Sequence, residues 1–159
     1  MLSESARMSS AAEARYRIQA PNSRPRAIKV IALDTPSEGV VDRLMQGSWN
    51  HASFFSAAPS GNGGLKDRAG RPRNLAKEVD TADLVVMVAT PGGNAQAASL
   101  IGEACSRRRV NTTALIAGAA SSSDEALSKT LKQVRPWSLM VVIAEADDYI
   151  DDMLTALRA

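Results

Sequence analysis

Five short apolar segments, separated by polar stretches, dominate the pattern of hydrophobic positions along the chain. They are rich in aliphatic and β-branched residues and are bounded by turn-forming residues, which is typical of β-strands. The segment 83–89 is almost entirely apolar, as expected for a strand of a parallel sheet that is buried on both faces. The predicted strands are residues 27–33, 52–57, 83–89, 111–117 and 138–144.

Apolar residues at helical spacing follow four of these five segments. Ser122 and Glu125 have the spacing of a capping box at the start of one predicted helix, and Gly47 is placed to end another. Strands that alternate with helices imply right-handed crossover connections and a sheet covered on both sides. The pattern therefore predicts an α/β fold: a three-layer, Rossmann-like open sheet, mostly parallel, with about five strands in the order 2-1-3-4-5.

This strand order places a topological switch point between the first and third strands, where open α/β sheets bind their ligands. The loops after these strands, residues 34–39 and 90–94, are therefore the predicted site. Glycines allow close approach of a ligand to the backbone, and N–H groups at a helix start attract anions. We expect Gly92, Gly93 and Asn94 to offer backbone donors to a phosphate group. The candidate binding residues are Asp34, Thr35, Ser37, Gly39, Thr90, Gly92, Gly93 and Asn94, with Thr35 and Ser37 adding hydroxyl groups.

Each of these features also has a purely structural interpretation. Residues 90–94 form a tight turn in which Asn94 caps the following helix, and Asp34 caps a turn before Thr-Pro. As a functional group, Asp34 is placed to hold a metal ion, a ribose hydroxyl or a catalytic proton. Both interpretations stay open at this point.

Three further segments are polar. Residues 1–26 have no apolar stripe and two prolines near their end, so we expect a flexible leader that precedes one domain over residues 27–159. Residues 59–74 contain four glycines, two prolines and four cationic residues, which predicts a long loop. Its arginines Arg68, Arg71 and Arg73 either clamp phosphates or are solvated. The acidic residues of 145–152 suit a helix N-terminus, with a Mg²⁺ site as the alternative.

The composition of the chain excludes several classes of partner and several kinds of site. Of the 159 residues, 45% are hydrophobic and only 4% aromatic, and 19 Lys and Arg against 17 Asp and Glu give a net charge of +2. This charge is too small to predict binding to nucleic acid or to a membrane surface. One cysteine and one histidine exclude a disulfide framework and a histidine-rich metal centre, and they are compatible with a reducing, cytoplasmic location. Neither a Walker A nor a GxGxxG motif is present.

The order of the segments resembles the nucleotide-binding domain of tubulin/FtsZ-like GTPases. The likeness lies in residues 28–31 followed by 41–45, in 82–88 followed by a glycine turn and an Ala-rich helix, and in 125–134 before 139–143. It covers about residues 27–154. The resemblance implies a Rossmann-like domain that binds a nucleotide at its switch point.

The signature loops of that family are changed in this sequence. Residues 34–39 contain one glycine and two carboxylates in place of a glycine-rich phosphate loop. Residues 92–98 keep only the first glycines of the second signature, and residues 144–146 lack the guanine-reading asparagine. The given sequence ends where the second domain of that family would begin, and from the resemblance we therefore expect no polymer-coupled GTP hydrolysis.

The sequence therefore favours a domain that binds a nucleotide or another phosphorylated small molecule, with no catalysis required. One alternative is a ligand-free protein-interaction or regulatory module that kept the fold and lost the site. A homo-oligomer is compatible with either function. Another is a magnesium-dependent enzyme that uses Asp34.

Overall fold

The computed structural model describes residues 26–57, 64–145 and 147–159, without the side chains of residues 147 and 148. Almost all of the predicted leader, and residues 59–63 of the predicted loop, lie outside these ranges. Seven strands form one sheet. They are β1 (Ile28–Ala32), β2 (Ala52–Ser56), β3 (Leu65–Asp67), β4 (Pro72–Arg73), β5 (Leu84–Ala89), β6 (Asn111–Ile116) and β7 (Met140–Ile143).

The sheet is open and mostly parallel, which confirms the predicted α/β, Rossmann-like class. The full order is β4-β3-β2-β1-β5-β6-β7. The five predicted strands are parallel to one another and follow the order 2-1-3-4-5. The predicted number of strands was too low, because β3 and β4 add an antiparallel hairpin beside β2.

This hairpin corrects the prediction of a long loop over residues 59–74. Leu65 is buried in the core, and the Asp67 carboxylate accepts hydrogen bonds from the backbone N–H groups of Ala69 and Arg71, which closes the turn. Gly70 takes the left-handed conformation that this turn needs, with φ of 85°. The strands are three and two residues long, so no hydrophobic alternation revealed them.

Within the described ranges, five helices pack on the sheet. They are α1 (Thr35–Met45), α2 (Leu75–Asp80), α3 (Ala97–Arg107), α4 (Asp124–Val134) and α5 (Asp147–Ala156), with short 3₁₀ turns at Ala119–Ser121 and Arg135–Trp137. Ser123, and not Ser122, caps α4 by accepting a hydrogen bond from the Ala126 N–H group. In the part of the chain that the structure describes, no helix is long and apolar enough to cross a membrane.

The core has one cluster on each face of the sheet, as a three-layer fold requires. Alternate residues of β5 point to opposite sides, so Val85 and Met87 join one cluster while Val86 and Val88 join the other. Helices α2, α3 and α4 cover the first cluster, and α1 and α5 cover the second. All six residues of β5 are buried, which confirms the interpretation of its apolar sequence.

Candidate functional site

A cleft of about 890 Å³ opens at the carboxyl ends of the parallel strands. It lies where β1 and β5 are neighbours while their helices, α1 and α3, cover opposite faces of the sheet. This is the predicted switch point. Its walls come from the end of β1, the segment after β5, the first turns of α3 and the end of α4. They include Leu33, Asp34, Thr35, Pro36, Ala57, Gly93, Asn94, Ala95, Gln96, Ala97, Ser99, Leu100, Lys132, Gln133, Pro136 and Trp137.

Asp34 is the structural link between the two predicted loops. Its Oδ1 atom accepts a hydrogen bond from the Ser37 N–H group at 2.8 Å, which caps α1. Its Oδ2 atom accepts from the N–H and hydroxyl groups of Thr90 at 2.9 and 3.1 Å. With 4% of its surface exposed, the carboxylate is held between β1 and the turn after β5.

The predicted loop 34–39 is in fact the start of α1. Asp34 and Ser37 form a reciprocal capping box, because the Ser37 hydroxyl accepts from the Asp34 N–H group at 3.2 Å. Pro36 stands in the first turn, where its missing N–H group costs no helical hydrogen bond. Ser37 is consequently buried, and Gly39 is an interior residue of the helix rather than part of a loop.

The glycines after β5 are explained by contacts within the protein. A Cβ atom on Gly93 would lie 2.8 Å from Asp34 Cγ, so only glycine leaves room for the carboxylate. Gly92 takes a φ of 80°, and its N–H group donates to the Thr130 hydroxyl at 2.9 Å. The Gly93 N–H group donates to the Thr90 carbonyl at 3.1 Å. Two of the three backbone donors that the sequence suggested for a phosphate, those of Gly92 and Gly93, thus have partners in the fold.

The structure brings four of the eight candidate residues into the cleft wall: Asp34, Thr35, Gly93 and Asn94. The Asn94 side chain accepts from the Gln96 N–H group at 3.1 Å, and α3 begins only at Ala97, so Asn94 is not its N-cap. The other four candidates, Ser37, Gly39, Thr90 and Gly92, do not line the cleft, although Ser37 and Thr90 hold Asp34 in place.

The arginines of the hairpin region do not line the cleft. Arg68 pairs with Asp42 at 2.6 Å and with Glu38 at 3.4 Å, on α1. Arg71 and Arg73 both pair with Asp67, and Arg73 also lies 3.9 Å from Glu78. The hydrogen bond from Arg68 lowers the pKa of the Asp42 carboxyl. These contacts attach the hairpin to its neighbours and replace the predicted phosphate clamps.

Among the described lining residues, Lys132 is the one cationic side chain, and it is exposed. It lies in the last turn of α4 and lines the same cleft as Thr35 and Pro36 of α1. The Asp34 carboxylate is the lining residue of opposite charge, and its hydrogen bonds go to Ser37 and Thr90. Lys132 is therefore available to bind an anion that enters the cleft.

Trp137 is a cleft residue that the sequence interpretation missed. Its ring lies over Gly102 of α3, where a Cβ atom would come within 3.0 Å of the ring carbon Cγ. Its carbonyl accepts a hydrogen bond from the Thr112 hydroxyl at 2.6 Å, and 36% of the residue stays exposed. The signal in the sequence was Gly102 itself, a glycine inside a helix, but its partner lies more than thirty residues along the chain.

Two of the carboxylates considered as metal ligands make other contacts within the fold. Asp34 is a buried cap, and Asp151 of the acidic segment lies 3.3 Å from Arg43. Among the residues that the structure describes, no three His, Cys, Asp or Glu side chains are grouped so that they could hold a metal ion.

Comparisons with known proteins show no family for this chain. No protein-family model matches it, and no curated protein matches it. One similar solved structure is a mutant ATP citrate lyase of Methanosaeta concilii in complex with (3S)-citryl-CoA, with a TM-score of 0.39 and 12% sequence identity. The overlap covers 85% of this chain and 24% of that one, so this chain spans about a quarter of the length of that enzyme.

Proposed function

We propose that this chain binds a small organic ligand in the switch-point cleft, and that the ligand is a nucleotide or another phosphorylated molecule. The cleft itself carries the proposal. Its volume of about 890 Å³ falls within the ~300–1,000 Å³ of typical small-molecule sites, and it lies where open α/β sheets bind ligands.

The walls of the cleft fit a molecule with a planar ring and an anionic group. Trp137 and Leu100, which is 47% exposed, present apolar surface at one end. Lys132 supplies a positive charge, and the first turn of α3 contributes the positive end of a helix dipole. The proposed ligand stacks its ring on Trp137 and turns its phosphate towards Lys132.

The proposal also retains the resemblance to tubulin/FtsZ-like domains as a hypothesis of common origin, without polymer-coupled GTP hydrolysis. The segment after β1 supports the proposed absence of polymer-coupled GTP hydrolysis. It forms a capped helix start with a buried carboxylate, which cannot wrap the phosphates of GTP as a glycine-rich loop does.

Calorimetry with GTP, ATP, NAD and FMN tests the proposal. At least one of these ligands should bind, and Lys132→Gln should raise its Kd about tenfold, equivalent to ~1.4 kcal/mol for a lost charge-assisted contact. Lys129→Gln, an exposed lysine on the same helix outside the cleft, is the matched control and should leave Kd unchanged.

Tryptophan emission gives an independent readout. The chain has two tryptophans, and in a Trp49→Phe background only Trp137 emits. A ligand in the cleft should change this emission with the same Kd as calorimetry measures. The absence of heat, of an emission change and of a shift in unfolding temperature with all four ligands at millimolar concentration would refute the proposal.

A further inference from the structure

β7 is an apolar strand at the edge of the sheet, and no other described residue pairs with its outer side. β7 is the last strand of the sheet. Leu139 is 75% exposed, and Met140 and Ile143 are each 43% exposed. Residues 138–144 contain no charged side chain. An edge strand also leaves the N–H and C=O groups of alternate residues open on its outer side, so this edge can accept a further strand.

The opposite edge of the same sheet is protected. β4 has only two residues, Pro72 and Arg73, and both are exposed. Proline lacks a donor, and a charged, very short strand discourages pairing, which is how monomeric sheets avoid edge-to-edge association. β7 contains neither a proline nor a charged residue, so its edge lacks this protection.

We propose that β7 pairs with β7 of a second copy of this chain, antiparallel, about a twofold axis at Val141. Strand residues alternate between faces, so a twofold axis normal to the sheet joins residues of the same face. In this register Leu139 lies opposite Ile143 of the second copy, Met140 lies opposite Val142, and Val141 lies opposite itself.

Self-complementarity favours a second copy as the partner. Every pair in this register joins two apolar side chains, and no charge meets its own copy across the axis. A shift of the axis by one residue, to Val142, would instead place the exposed Leu139 opposite the exposed Glu145. The pairing would extend one continuous sheet through both copies and leave the switch-point cleft of each copy open.

Sedimentation of the full chain tests the association. The native chain should sediment with the mass of two copies, and Met140→Lys should shift it to one, because the lysine charge would be placed against Val142 of the partner. Met45→Lys is the matched control, since Met45 is 46% exposed on α1, and it should stay dimeric. A native chain that sediments as a monomer would overturn the proposal, whether residues 1–25 or another protein covers the edge.

Engineered cysteines test the register without disrupting the strand. Two copies of Val141→Cys would have Cα atoms about 5.5 Å apart, within disulfide range, whereas two copies of Val142→Cys would be about 8 Å apart. Mild oxidation should therefore cross-link the first variant and not the second. The native Cys105 is buried and should not interfere. Cross-linking of Val142→Cys alone, or of neither variant, would contradict the proposed pairing.

Discussion

Replacement of Gly93 by alanine should destabilise the protein through its contact with Asp34. The new Cβ atom would overlap Asp34 Oδ2 and lie 2.8 Å from Asp34 Cγ, so the carboxylate must move by at least ~0.7 Å to reach an ordinary carbon–carbon contact. That movement would lengthen the 2.9 Å bond from the Thr90 N–H group to about 3.6 Å, beyond hydrogen-bond range. Hydrogen bonds to charged groups contribute ~1.5–3 kcal/mol each. We expect a loss of ~2–4 kcal/mol in unfolding free energy.

Urea unfolding of the full chain measures this loss, and Gly39→Ala is the matched control. Gly39 is exposed in the interior of α1, and a Cβ atom there would meet nothing within 4 Å, so alanine should stabilise by ~0.5–1 kcal/mol. In an Asp34→Ala background the same Gly93→Ala change should cost much less, because the carboxylate is gone and only the 3.1 Å contact with the Cβ atom of residue 34 remains. Equal effects of Gly93→Ala in both backgrounds, or a loss below ~1 kcal/mol in the native one, would refute this explanation.

Three other measurements test packing and charge. Gly102→Ala should cost ~1–3 kcal/mol and shift the emission of Trp137, because the added carbon displaces its ring; unchanged emission would contradict that packing. Asp42, whose pKa is lowered by Arg68 from 3.8, contributes stability above that value and loses it as the pH falls through its folded-state pKa. Asp42→Asn should therefore reduce stability at neutral pH and have no effect in strong acid, as unfolding at several pH values will show. Burial raises the pKa of the Cys105 thiol to about 11, so a thiol reagent at neutral pH should label the unfolded chain far faster than the native one.

The parallel core of the fold could be predicted because its strands are long and apolar. The alternation of β5 between two clusters follows directly from a run of six apolar residues. The hairpin of β3 and β4 could not be predicted in this way, because its five strand residues include Lys66, Pro72 and Arg73. Its pairing depends instead on the turn closed by Asp67 and on contacts with α1.

The position of the site was predictable, whereas the roles of its residues were not. Strand order alone places a cleft between the ends of β1 and β5. The sequence around Asp34, with proline and serine next to it, was interpreted as a loop although the same residues form a helix start. The sequence suggests that Gly93 leaves room for a ligand, whereas in the fold it leaves room for the Asp34 side chain, which is distant in sequence.

Hydrogen bonds connect the turn after β5 to two helices, α1 and α4. Asp34 joins it to the start of α1, and the Thr130 hydroxyl joins it to α4 by accepting from Gly92 and donating to the Thr90 carbonyl at 3.3 Å. The turn after β5 therefore cannot be exchanged by itself, because residues 34 and 130 belong to the same hydrogen-bonded unit. A turn transplanted from another protein must bring its own matches for positions 34 and 130, or both helices lose their hydrogen bonds to this turn together.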